Sequence, residues 1–255
     1  MLILISPAKT LDFDIPEKAI NPSQPEFLAE AQLLVDKLKK YNPKKLQELM
    51  HINPKLADLN AKRYMDWYLP FTEENARQAL QVFKGEVFTG LKAEDLNPDE
   101  LNFSQDHLRI LSGLYGVLRP LDLIQAYRLE MGTKLKTRKG KDLYQFWGKK
   151  ITNSINTALK NSSQNIIINL ASNEYFNSID KKKLDAEVYT PTFKDYKNGT
   201  YKFLTVYGKR ARGMMARFII KNKITEVEKL KLFDDDGYYY HDNMSEGRSW
   251  VFTRG

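Results

Sequence analysis

Hydrophobic positions along this chain occur either as short unbroken runs or at a spacing of three to four residues, and the unbroken runs mark the sheet. Leu2-Ile3-Leu4-Ile5 is apolar at every position and is closed by Ser6-Pro7, which predicts a buried strand running out into the loop Ser6–Thr10. Ile166-Ile167-Ile168-Asn169-Leu170-Ala171 has the same character and predicts a second strand covered on both faces. Val188–Phe193 and Tyr201–Tyr207 flank Lys197-Asn198-Gly199-Thr200, and an Asn-Gly step between apolar runs predicts an antiparallel hairpin. Ser249–Thr253 supplies a last strand.

Between these runs the punctuation is helical. Asn42-Pro43, Asn53-Pro54 and Asn97-Pro98 each place a side chain that can accept a backbone N–H ahead of a proline, whose missing N–H is harmless at the first helical position. Thr72 and Ser104 read as further caps, so several short helices are expected over residues 26–160. The character changes at Asn161-Ser162-Ser163. Met214, Met215, Phe218 and Ile219 then recur at helical spacing and predict a helix over Arg210–Lys221. Strands from both ends of the chain are needed for one sheet, so the expected fold is α/β (mixed α+β). One domain over residues 1–255 should combine a mixed sheet with many short helices.

Composition narrows the function. The chain has no cysteine, which removes thiol peroxidase chemistry, thiolate-held iron–sulfur clusters and cysteine zinc sites. His51, His107 and His241 are scattered, and Asp234-Asp235-Asp236-Gly237 lacks the downstream glutamate of a calcium loop, so no metal or cofactor is expected. No apolar run approaches the ~20 residues that span a bilayer, and no basic segment precedes Leu2 as in a secretory signal. A cytoplasmic protein without membrane contact is expected.

Lysine and arginine outnumber acids 40 to 32, for a formal charge of +8, which favours polyanionic partners. Lys202, Lys209, Arg210, Arg212, Arg217, Lys221 and Lys223 follow one another with no acidic residue between them. Their mutual repulsion would be relieved by phosphates, although a solvated helix face explains the run as well. A second basic stretch, Lys134, Lys136, Arg138, Lys139 and Lys141, leads into Phe146-Trp147, aromatics that either stack on unpaired bases or pack as helix core.

Leu108–Leu118 contains Gly113 and Gly116 and resembles the entry of a helix-hairpin-helix element, in which backbone N–H groups approach phosphates directly. Its spacing is Gly-x-x-Gly rather than the usual Gly-x-Gly, and Pro120 disfavours helix at Arg119. A loop between packed helices accounts for the same glycines. Candidate phosphate contacts are Arg109, Ser112, Gly113, Tyr115, Gly116, Arg119, Arg128, Lys209, Arg210, Arg212 and Arg217.

Two loops should leave the carboxyl ends of the strongest strands, one carrying Lys9 and Thr10, the other Ser172, Asn173 and Glu174. If the strands lie parallel, the loops converge into a cleft with Arg109 or Arg128. The bland alternatives are that Ser172 only caps a helix and Lys9 only pairs with Asp12. Phosphate-loop, nucleophile-elbow and zinc-helix motifs are absent, so no catalytic residue is assigned. An enzyme acting on a small anionic, nucleotide-like substrate through Lys9, Arg109, Ser172, Glu174 and Arg212 is the competing expectation.

Leu4–Asp12, Thr89-Gly90-Leu91, Leu111–Gly132, Lys141–Gly148, Asn169–Phe176 and Lys209–Phe218 together resemble the YaaA peroxide-stress resistance family. That resemblance implies a compact α/β fold with a helix-hairpin-helix element, which falls on Leu108–Tyr127. It also implies duplex-DNA binding through a basic cleft, and protection against hydrogen peroxide by limiting free iron and DNA damage. It carries no established catalytic residues and no stable protein partner. After Gly237 the chain is expected to follow its own course.

Overall fold

The computed structural model describes residues 1–14, 21–160 and 164–255. The boundary expected at residues 161–163 lies outside the described residues. The first sheet has five strands in the spatial order Gly116–Leu118, Leu108–Ser112, Leu2–Ile5, Ile166–Asn169, Glu187–Tyr189. Leu2–Ile5 is the middle strand, with Ile3 opposite Leu108 on one side and Ile168 on the other, both in parallel register. Parallel neighbours are covered by crossover segments on both faces, which is why Leu2 to Ile5 are all buried and why the run carries no polar residue.

A second sheet of four strands runs Thr200–Lys202, Thr192–Lys197, Val251–Arg254, Tyr239–Tyr240. The Asn-Gly hairpin forms as expected, with Asn198 and Gly199 both at positive φ (52° and 80°), the twist that matches the strands they join. Its arms are shorter than the sequence implied. Val188 and Tyr189 belong to the first sheet, while Thr205 already opens the helix Thr205–Lys221. That long helix touches both Thr192–Lys197 and Leu2–Ile5, and one hydrophobic cluster runs from Met1 to Phe252.

The three Asn-Pro starts are helix starts. The Oδ1 atoms of Asn42, Asn53 and Asn97 accept the N–H groups of Lys45, Leu56 and Glu100, each at 2.9 Å, opening Pro43–Met50, Pro54–Asp66 and Pro98–His107. Thr72 begins a turn instead, and Ser104 sits inside Pro98–His107 with its hydroxyl donating to the Leu101 carbonyl. The larger correction concerns Leu108–Tyr127. Residues 108–112 and 116–118 are paired antiparallel strands, so no two helices flank Gly113 and Gly116.

Glu100 closes a reciprocal cap by accepting the Asn97 N–H at 2.8 Å, and it also takes Lys221 Nζ at 2.9 Å. Burial alone would raise its pKa, but these two hydrogen bonds and the charges of Lys221 and Arg217 outweigh it and hold the pKa below the ordinary value. A carboxylate with a depressed folded pKa contributes stability above its unfolded pKa and loses it as pH falls through the folded value. The stability advantage of the native chain over Glu100→Gln should therefore shrink between about pH 6 and about pH 3 in urea titrations. A constant difference across that range would refute the assignment.

Candidate functional site

The strands Leu2–Ile5 and Ile166–Asn169 lie side by side and parallel, so the loops at their carboxyl ends meet. Ser172 N–H donates to Ser6 Oγ at 2.9 Å, and the two hydroxyls are 3.3 Å apart. Ser172 occupies an N-cap position yet makes no side-chain capping bond. Lys9 Nζ pairs with Glu130 Oε2 at 2.7 Å rather than with Asp12, and Arg128 Nη2 takes the other oxygen of the same carboxylate at 3.0 Å. Glu174 Oε1 accepts the Gly132 N–H at 2.9 Å. Lys9, Arg128, Ser172 and Glu174 are thus gathered at one end of the sheet, whereas Thr10 pairs with Lys84 in a separate two-residue ladder.

Glu130 joins these elements and carried no motif of its own; its role exists only once residues 9 and 128 are adjacent. Arg128 has a side chain 15% exposed, and its Nε is buried with no acceptor among the described residues. Its carbonyl receives the hydroxyl of Tyr64, whose pKa burial pushes far up. The neighbouring Arg63 guanidinium has its pKa drawn down, first by burial, with the like charge of Arg128 adding to the effect.

Beside this ion-paired cluster lies a groove of about 280 Å³ lined by Leu49, Met50, His51, Glu130, Thr133 and Lys134, among others. Leu49 to His51 form the tip of a helical hairpin in which Pro43–Met50 and Pro54–Asp66 are joined by His51-Ile52-Asn53. His51 turns the chain in a left-handed conformation, Ile52 is buried as the anchor of the turn, and Asn53 caps the second helix. Lys44, Lys45 and Lys55 on the hairpin and Lys134, Lys136 and Arg138 on the facing turn are exposed. Among the described residues none of the six has a carboxylate within ion-pairing distance.

The other sequence candidates are spread elsewhere. Ser112, Tyr115 and the glycines between and beside them are in the core. A Cβ at Gly113 would lie 2.2 Å from the Leu129 carbonyl oxygen, and one at Gly116 would lie 2.8 Å from the Trp147 ring, so both glycines are required by packing. Ser112 Oγ is 2.7 Å from Tyr127 OH, and Tyr115 OH receives the Trp67 indole N–H at 3.0 Å. Trp147 donates its own indole N–H to the Gly113 carbonyl at 3.0 Å, and Phe146 is buried beside it.

Arg109 and Arg119 line a different pocket of about 370 Å³ with Glu26, Asp122 and Ser154. Burial, reinforced by Arg119, lowers the Arg109 pKa to about 10. Arg217 donates to the Leu91 and Lys92 carbonyls and pairs with Asp95, while Lys221 and Lys223 pair with Glu100 and Asp99. The acid-free stretch of sequence is therefore partly neutralised by acids from residues 95–100. Arg212 is half-buried against the Phe203 ring at 5.7 Å, with its pKa lowered by burial. Lys209 and Arg210 are exposed and have no ion-pair partner among the described residues.

Comparison with known proteins places this geometry. A family profile described as "Peroxide stress protein YaaA" matches residues 1–244. The chain belongs to the YaaA peroxide stress family. "UPF0246 protein" chains from Colwellia psychrerythraea, Cellvibrio japonicus and Hahella chejuensis are each 52% identical to it over 254 residues, covering 100% of this chain and 99%, 98% and 99% of theirs. These alignments run past Gly237, so the final segment, expected to follow its own course, is shared with its YaaA-family relatives. In this YaaA-family chain Leu4–Asp12, Leu111–Gly132 and Asn169–Phe176 all contribute to the cleft at the strand ends or to the wall behind it. Among its described residues no helix is long and apolar enough to cross a membrane.

Proposed function

We propose that this protein serves in peroxide stress by binding duplex DNA through its phosphates, limiting the DNA damage that peroxide and free iron cause. The contact surface we assign is the helical hairpin Pro43–Asp66 with the facing turn Lys134–Arg138. The observation that carries this reading is the shared groove, lined by the hairpin tip Leu49–His51 and by Lys134, with Lys44, Lys45, Lys55, Lys136 and Arg138 exposed and, among the described residues, unpaired along the same two segments. Two helices joined by three residues are the layout in which a helix N-terminus and its dipole can meet a phosphate, and such contacts ignore base sequence. Clustered cations repel one another, and that cost falls when phosphates displace their counterions. Lys209 and Arg210 remain available as an outlying contact.

The test is salt dependence. Fluorescence anisotropy on a labelled duplex should give log affinity falling linearly with log salt, with a slope that becomes shallower by about 0.9 for each phosphate contact removed. Lys44→Ala with Lys45→Ala and Lys55→Ala should flatten it, while Arg119→Ala should not. An unchanged slope in the triple variant would reject this surface.

A second reading has its own observation. The buried, acceptorless Nε of Arg128 beside Lys9 favours a small anionic ligand, nucleotide-like in character, in the cleft at the strand ends. Calorimetry with inorganic phosphate and a nucleoside monophosphate tests it: binding abolished by Lys9→Ala supports the cleft, and no heat with either ligand removes it.

A further inference from the structure

The edge of the five-stranded sheet carries a cavity of about 370 Å³ that neither the duplex contact nor the strand-end cleft involves. Strand register explains why a charge stands beside apolar side chains there. Leu111 lies opposite Val117 in the antiparallel pair Leu108–Ser112 and Gly116–Leu118. Side chains alternate along a strand, so Arg109 is on the same face of the sheet as Val117. The helix Lys150–Lys160 packs on Gly116–Leu118 and brings Ser154 and Ala158 to the same cavity.

Of the four charged groups lining it, two pair with each other and two are left over. Arg119 and Asp122 form the pair, at 2.9 Å. The half-buried Arg109 uses its Nη1 on the Gln105 and Leu108 carbonyls, at 2.9 and 2.8 Å, and has no carboxylate within ion-pairing distance among the described residues. A guanidinium withdrawn from water without a counter-ion is costly, and burial is the main cause of its lowered pKa. Glu26 is exposed, its Oε2 accepts the Ser154 hydroxyl, and no cation pairs with it among the described residues. The Glu26 charge acts to raise the Arg109 pKa, so the two groups are within electrostatic reach without touching.

We propose that this pocket binds a free aliphatic α-amino acid, with its carboxylate on Arg109, its ammonium group on Glu26 and its side chain against Val117, Leu118 and Ala158. Opposite charges held apart in one cavity match a ligand that carries both, and a carboxylate gives Arg109 the counter-ion it lacks. The Glu26 carboxylate repels a dianion such as phosphate, which separates this ligand class from a nucleotide. The volume lies within the roughly 300–1,000 Å³ of small-molecule sites. Among the described residues the pocket has no lining residue in common with the groove beside His51.

The experiment is calorimetric titration of the full chain with L-leucine, with 4-methylpentanoate, which is leucine without its ammonium group, and with inorganic phosphate. Leucine should bind at least about tenfold more tightly than 4-methylpentanoate, the factor expected for one charge-assisted hydrogen bond. Glu26→Gln should abolish that advantage without weakening 4-methylpentanoate. Arg109→Gln should weaken both ligands by at least about tenfold, with a thermal melt to verify that the variant is folded. Glu26 is exposed, so its variant carries the test even where the Arg109 variant fails to fold. No heat with leucine, equal affinity for leucine and 4-methylpentanoate, tighter binding of phosphate than of leucine, or a leucine advantage that survives Glu26→Gln would each overturn the proposal.

Discussion

Alanine at Gly213 is expected to destabilise the protein by about 3 kcal/mol, at the upper end of what over-packing usually costs. The reason is the crossing of two helices at backbone distance. A Cβ on Gly213 would lie 1.8 Å from the Val87 carbonyl oxygen and 2.8 Å from the Leu91 N–H nitrogen. One on Gly90 would lie 2.1 Å from the Arg210 carbonyl oxygen, so the glycines interlock in both directions. The obstructing atoms are main chain, which cannot rotate aside like a side chain. The helix Thr205–Lys221 would have to lift from Glu86–Leu91 and carry its contacts to both sheets with it. At roughly 2–4 °C per kcal/mol for a chain of this size, the midpoint should fall by about 10 °C in a thermal melt. A shift within about 2 °C would mean that the helices are not packed this closely.

Asp122→Ala should cost a similar amount, about 2–3 kcal/mol, because it removes a buried carboxylate that accepts four hydrogen bonds, while the partly exposed Arg119 guanidinium turns to water. Asp122 is 1% exposed and accepts the Arg119 N–H at 2.7 Å, Arg119 Nε and Nη2 at 3.1 and 2.9 Å, and the Ser23 hydroxyl at 2.6 Å. The carboxylate therefore ties the segment after Gly116–Leu118 to the chain entering the first long helix. Asp122→Asn keeps the shape and part of the hydrogen bonding, and should lose less than half as much in urea denaturation. Equal losses in the two variants would show that packing volume, not charge, governs the site. The same pair engages the Arg119 Nε and Nη2 donors, which leaves fewer of them for a phosphate.

The regular parts of the fold were legible because local rules sufficed for them. Each Asn-Pro step capped a helix, the Asn-Gly step made its hairpin, and the two apolar runs became neighbouring strands whose loops brought Lys9 and Ser172 together. The failures came where tertiary contacts decide. Gly113 and Gly116 suggest phosphate approach in a one-dimensional string, but they are small because Leu129 and Trp147 press on them. The acid-free run from Lys202 to Lys223 looks unneutralised until residues 95–100 fold against it. Glu130 was invisible for the same reason, as no spacing rule links residues 9, 128 and 130. The helix–turn–helix layout was present at His51-Ile52-Asn53, where the sequence signal was read only as a cap.

The place of Leu2–Ile5 in the middle of its sheet bears on how the protein is made. This strand leaves the ribosome before either of its partners, which follow more than a hundred residues later. Until they are synthesised, four consecutive aliphatic side chains have nowhere to be buried, and pairing them then requires closing long loops. Production of the native protein should therefore depend on chaperones that shield the nascent segment, and refolding from denaturant should be slow and prone to aggregation at high protein concentration.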